Sequence, residues 1–118
     1  MSDEILYKLV RAPDWAEAEA SGVVARSAAD ERDGFMHLST AGQVLQTARL
    51  HFAGASDLLA LEIPRSMVEA ALKFELAPKR GEHFPHLYGA LATANVRRAR
   101  SLVQRDDGSF AFADGEGA

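Results

Sequence analysis

The stretch Leu72-Lys73-Phe74-Glu75-Leu76-Ala77-Pro78-Lys79-Arg80-Gly81-Glu82-His83-Phe84-Pro85-His86-Leu87-Tyr88-Gly89 decides the fold. Residues 72–76 alternate in character. Leu72, Phe74 and Leu76 are expected inward and Lys73 and Glu75 outward, as on a half-buried strand. Residues 78–82 carry Pro78 and Gly81 and read as a turn. Residues 84–89 read as a stiff aromatic loop, because Pro85 fixes its own φ and holds Phe84 extended. No helical pattern follows. The strand–helix alternation of the first half stops here, which argues for an α+β domain with a mixed or antiparallel sheet rather than a doubly wound fold.

Upstream, residues 5–10 read as a strand. Pro13 opens a helix over residues 13–20, with Asp14 and Glu17 near its positive end and Gly22 as its stop. Residues 27–33 are polar enough for one short helical turn, and Asp33-Gly34 marks a chain reversal. Residues 35–38 form a short strand. Thr40 with Gln43 three residues on matches a capping box. The helix behind it is expected to run to about Phe52, with Ala41, Val44, Leu45, Ala48 and Phe52 on its apolar face and Gln43, Gln46 and Arg49 pointing away. Residues 58–63 read as an apolar strand stopped by Pro64, and residues 66–70 as a short helix. Downstream, residues 95–104 form a strand, and Asp107-Gly108 turns it into a hairpin with residues 109–112. The expectation is one α+β domain over residues 1–113, a split mixed or antiparallel sheet with two main helices, and a flexible tail at 114–118.

A chain of 118 residues suits a single core. It has no cysteine, which removes disulfides, thiol nucleophiles and thiolate metal sites together. The acidic start, with Lys8 breaking the first apolar run, is no secretory signal, so a cytoplasmic location is expected. No apolar run approaches the ~20 residues of a membrane helix, and no membrane partner is expected. The net charge of −4 gives no support to RNA as a partner. Residues 73–105 nevertheless hold seven basic side chains against two acidic ones. That block either steers a phosphorylated ligand or is a solvated face with local counter-charges.

Two segments carry candidate chemistry. In Gly34-Phe35-Met36-His37-Leu38-Ser39-Thr40 a histidine ends a strand, and two hydroxyls follow at an expected helix start, where backbone N–H groups favour a phosphate. The bland alternative is that Ser39 or Thr40 only caps and His37 is a satisfied, half-buried residue. In residues 83–89, His86 is a hydrogen-bonding group or proton carrier near neutral pH and Tyr88 offers a ring and a hydroxyl. The alternative there is a lid on the core. A metal site from His37, His83 and His86 has weak spacing and no H-E-x-x-H helix, so no metal is expected. A hydrolase using Ser39 with His86 as base lacks the G-x-S-x-G elbow, and Asp30, Asp33, Glu62 and Glu75 have no assignable orienting role.

Taken together, Ile5-Leu6-Tyr7-Lys8, Trp15, Asp33 to Thr40, Gln43, Phe74-Glu75 and Phe84 to Gly89 resemble the small bacterial family called domain of unknown function 952, over about residues 4–113. The family is similar in fold to the ADP-ribosyltransferase-like superfamily, which binds NAD in the cleft of a split β-sheet. The resemblance is to its His-His-hydrophobic branch, which includes the RNA 2′-phosphotransferases. It implies His37 at the first position, His86 at the second, and Val96 or Val103 at the third. Leu38 stands where relatives often carry glycine. The implied reading makes His37 and His86 the catalytic candidates. His37, Ser39, Thr40 and Tyr88 are the cofactor-binding candidates, and NAD or a related small, phosphorylated ribonucleotide is the ligand. A transfer enzyme acting at the nicotinamide ribose is one form of this expectation. A non-catalytic module for a small anionic metabolite is the other.

Overall fold

Strand β1 (Ile5–Arg11) is buried along most of its length because both of its faces are covered. The computed structural model describes residues 3–117. Leu6 and Val10 point into one apolar cluster, and Tyr7 and Leu9 into a second on the opposite face. Strand β5 (Leu58–Pro64) pairs with β1 over its full length and sorts in the same way, with Leu61 and Ile63 on one side and Leu58 and Ala60 on the other. This is the period-2 pattern of a sheet sandwiched between two layers. Strands β9 (Arg98–Gln104) and β10 (Phe110–Phe112) and the two-residue β4 (Ser39–Thr40) complete a five-stranded sheet of order β10-β9-β5-β1-β4.

Helix α1 (Ala12–Ser21) follows β1 directly and ends at Gly22, whose φ of 87° is the left-handed value that glycine adopts without strain. Strands β2 (Val23–Val24) and β8 (Leu91–Ala92) form a two-stranded ribbon beside it. The third sheet has the order β3-β7-β6, from β3 (Met36–His37), β6 (Leu72–Ala77) and β7 (Glu82–Leu87). All strand pairings among the described residues are antiparallel. The molecule is thus α+β, with its sheet split at Leu38. Leu38 is buried in the core and is the single residue between β3 of one sheet and β4 of the other.

Four local expectations need correction. Residues 84–87 are strand rather than loop, since β7 runs through Pro85. In an antiparallel strand a residue directs its N–H and C=O to the same neighbour. The Pro85 carbonyl accepts from the Leu38 N–H at 3.1 Å, so its missing donor falls where β3 departs from the sheet. Helix α3 (Val44–His51) starts at Val44, not behind Thr40. Half of the capping box forms, with the Thr40 N–H donating to Gln43 Oε1 at 3.0 Å, but the segment between them is a turn. Gln43 is buried rather than outward, and its amide donates to the His83 carbonyl at 2.9 Å. Along β6 the alternation is present, but the core ends early. Leu72 is half-buried, while Phe74 and Leu76 on the same face are 37% and 53% exposed.

Candidate functional site

The site begins with a polar residue inside an apolar strand. Lys8 is 5% exposed, and an ammonium held there needs a partner. Asp30, fully buried, lies 2.8 Å from Lys8 Nζ. Helix α2 (Ala28–Asp33) delivers it through a reciprocal capping box, in which the Asp30 N–H donates to Ser27 Oγ at 3.1 Å and the Ser27 N–H to Asp30 Oδ2 at 2.9 Å. The pair then acts as a substitute strand. The His37 N–H donates to Asp30 Oδ1 at 3.0 Å, and Lys8 Nζ donates to the His37 carbonyl at 3.2 Å. Burial alone would raise the Asp30 carboxyl, but hydrogen bonds from His37 and the nearby Lys8 hold it well below the usual carboxylate range. Burial lowers the Lys8 ammonium, against the attraction of Asp30.

His37 and His86 are register partners on β3 and β7. Because the His37 backbone is committed to Asp30 and Lys8, the two form a non-hydrogen-bonded pair, the kind in which side chains stand closest. Their ring centroids are 5.8 Å apart. Phe35 covers them, stacked on His86 at 3.9 Å and tilted against His37 at 4.7 Å. His37 Nδ1 lies 2.7 Å from Asp30 Oδ1, and Nε2 lies 2.9 Å from Asp33 Oδ2. Both contacts are hydrogen bonds at once only when the ring carries two N–H groups. His86 Nδ1 lies 2.9 Å from Glu75 Oε1, which also accepts from the Tyr88 hydroxyl at 2.5 Å. These bonds lower the Glu75 carboxyl and raise the Tyr88 phenol. Glu75 was expected outward on β6. It is on that face, 40% exposed, and there it reaches the histidine, while Lys73 lies over the Tyr88 ring at 5.0 Å.

A cleft of about 580 Å³ opens beside the pair. His37, Ser39 and His86 all line it, together with Lys8, Arg80 and Phe84. Thr40 and Tyr88 are not among its lining residues. Ser39 is buried, and its hydroxyl donates to Thr47 Oγ1 at 3.2 Å rather than to a histidine. His83 is exposed and lies outside the lining. Among the described residues no cluster of three His, Cys, Asp or Glu is arranged to hold a metal ion.

Three arginines of the basic block are spent elsewhere. Arg97, Arg98 and Arg100 converge on Glu62 at 2.8, 2.7 and 3.3 Å, and Tyr7 donates to the same carboxylate at 3.1 Å. Burial opposes ionisation of Glu62, but hydrogen bonds from Arg98, Arg97 and Tyr7 bring it down to about 2. Arg100 also holds Asp114 and the carbonyls of Glu116 and Gly117. Val96 packs against the core, and Val103 is 48% exposed.

Sequence reasoning missed the partners rather than the histidines. Asp30 was visible as Ser27-x-x-Asp30 ahead of a short helix, and Lys8 as a charge in an apolar run. Phe35 and Arg80 carried no signal that set them apart from other aromatic and basic residues.

Fold and site together define a small α+β domain whose split antiparallel sheets hold a histidine pair at a cleft. The chain belongs to the family described as Protein of unknown function (DUF952), whose model matches residues 9–99. It is similar to protein CC0527 from Caulobacter crescentus. The crystal structure of that protein is 34% identical, covers 91% of this chain and 93% of its own, and superposes with a TM-score of 0.83. Its solution NMR structure is 35% identical, covers 89% and 90%, and gives 0.79. No curated protein matches the chain. No helix among the described residues is long and apolar enough to cross a membrane.

Proposed function

We propose that the cleft binds NAD or a related ribonucleotide, in the manner of an ADP-ribosyltransferase-like domain. The observation that carries the reading is the His37–His86 pair, in register across β3 and β7 where the sheet splits, with both rings lining one cleft. At about 580 Å³ the cleft has the size of small-molecule sites, and Leu9, Leu38, Phe52 and Phe84 give it apolar walls. With Nδ1 held by Glu75, His86 presents Nε2 as an acceptor for a ribose hydroxyl. The Leu38 N–H is taken by the Pro85 carbonyl, so the nicotinamide end is held by side chains rather than by the backbone at this step.

One observation favours binding without turnover. Cleavage at the anomeric carbon builds positive charge on the ribose, which a carboxylate would stabilise. Asp30, Asp33 and Glu75 are all committed to imidazole, ammonium, guanidinium or phenol groups. The test is thermal melting with NAD and with ADP-ribose. Saturating ligand at about 100 times Kd adds ~2.7 kcal/mol to the native state, so the midpoint rises in the wild type and stays put in His86→Ala. A midpoint that neither nucleotide moves overturns the reading. Nicotinamide release above a His37→Ala control would make the protein a transfer enzyme rather than a binding module.

A further inference from the structure

The cations lining the cleft are not equivalent. Lys8 is paired with Asp30 at 2.8 Å and Arg32 with Asp33 at 2.9 Å. Arg80, in the turn between β6 and β7, has a different environment. Its Nη1 donates to Thr47 Oγ1 at 2.8 Å, and its guanidinium lies 4.4 Å over the Phe84 ring. Neither contact carries negative charge. Its Nη2 is buried and has no hydrogen-bond partner among the described residues. A buried donor left unpaired is costly, and more so on a charged group, so this arrangement calls for an explanation.

We propose that Arg80 is the phosphate-binding residue of the cleft. A planar guanidinium offers two parallel N–H donors that match two oxygens of a phosphoryl group, and such an anion satisfies the donor that the protein leaves unpaired. The Phe84 ring fixes the plane of the guanidinium, and the Thr47 hydroxyl, itself accepting from Ser39, fixes its edge. Position along the strand supports the assignment. Phe84 and His86 are two residues apart on the cleft face of β7, hence about 7 Å apart, with Pro85 and Leu87 turned to the core. The charge over Phe84 therefore stands one nucleotide sugar away from the histidine pair. The ribose sits at His86 and its phosphate at Arg80. This inference rests on the ribonucleotide reading and adds to it the ligand's anionic group and its direction in the cleft.

AMP and adenosine differ only in the phosphate and make the test. Titration calorimetry on the full chain should give AMP about tenfold or more tighter than adenosine. In Arg80→Gln the AMP affinity should fall to that of adenosine, with adenosine unchanged, which also reports an intact cleft. Arg80→Lys keeps the charge but loses the fork and should fall between the two. Equal AMP affinity in wild type and Arg80→Gln overturns the assignment of Arg80 while leaving the ribonucleotide reading in place. If NAD, AMP and adenosine all fail to bind the wild type, the reading and the assignment fall together.

Discussion

His37 and His86 face each other across β3 and β7 with ring centroids 5.8 Å apart, and the fold gives them unequal partners. His37 has a carboxylate on each ring nitrogen, and His86 has one on Nδ1 alone. The pair is therefore asymmetric. Both His37 nitrogens face carboxylates, while His86 keeps one nitrogen for a ligand.

The asymmetry has a spectroscopic consequence. In its neutral form the His86 ring should be the Nδ1–H tautomer, with Nδ1–H donated to Glu75. Nitrogen-15 shifts of the imidazoles read this directly. Glu75→Gln should weaken the preference and lower nucleotide affinity several-fold. Stability should stay within about 0.5 kcal/mol, since Glu75 is a partly exposed side chain. An unchanged tautomer in that variant would contradict the assigned role of Glu75.

The Lys8–Asp30 pair should be asymmetric too. Asp30→Asn leaves a buried ammonium without an anion and should cost about 3–5 kcal/mol in urea unfolding. Lys8→Met leaves Asp30 with His37 as a second donor and should cost less. Equal losses below about 1 kcal/mol would remove the pair from the account of how β3 is held.

Acid should unfold the protein in part through Glu62. Its ordinary value is 4.5 and its folded value is depressed to about 2. A depressed carboxyl stabilises the fold above its unfolded value, and that contribution is lost as pH falls through the folded one. Stability should thus decline between pH 4.5 and about 2. Asp30, also depressed, adds to the decline in the same direction. Glu62→Gln should be less stable at pH 7, where three guanidiniums lose their anion, and should show a flatter acid limb. An acid limb identical to that of the wild type would show that Glu62 is not the titrating group.

Gly34 links α2 to β3 with φ 80° and has open space where a side chain would go. Gly34→Ala should therefore cost only the backbone penalty, about 1–2 kcal/mol by thermal melting. Gly34→Asn should cost less, because asparagine tolerates this region. No loss for alanine would mean that the turn relaxes without consequence for His37.

The long elements were legible because their periodicity is local. Strands β1, β5 and the β9–β10 hairpin stand near their expected positions, and α1 ends at the expected Gly22. Strand β7 was hidden because Pro85 reads as a breaker. Its missing donor is harmless only at the split, a property of the other strand's path. The start of α3 was misplaced because a Thr40–Gln43 contact forms equally well across a turn. At the site, each histidine was visible alone. Their register, and the pairing of His37 with Asp30 and of His86 with Glu75, depend on how separate strands meet, and no short window of sequence contains that information. The charge of residues 73–105 had two readings. Arg97, Arg98 and Arg100 follow the counter-charged one, while Arg80 stays without a carboxylate among the described residues.

The most direct test is imidazole NMR during titration with ADP-ribose. Saturable movement of the His86 Nε2 signal is expected, with a smaller change at His37, whose two nitrogens stay on Asp30 and Asp33. Imidazole signals from both residues that stay fixed at millimolar ADP-ribose would contradict the claim that this pair forms a ribonucleotide site.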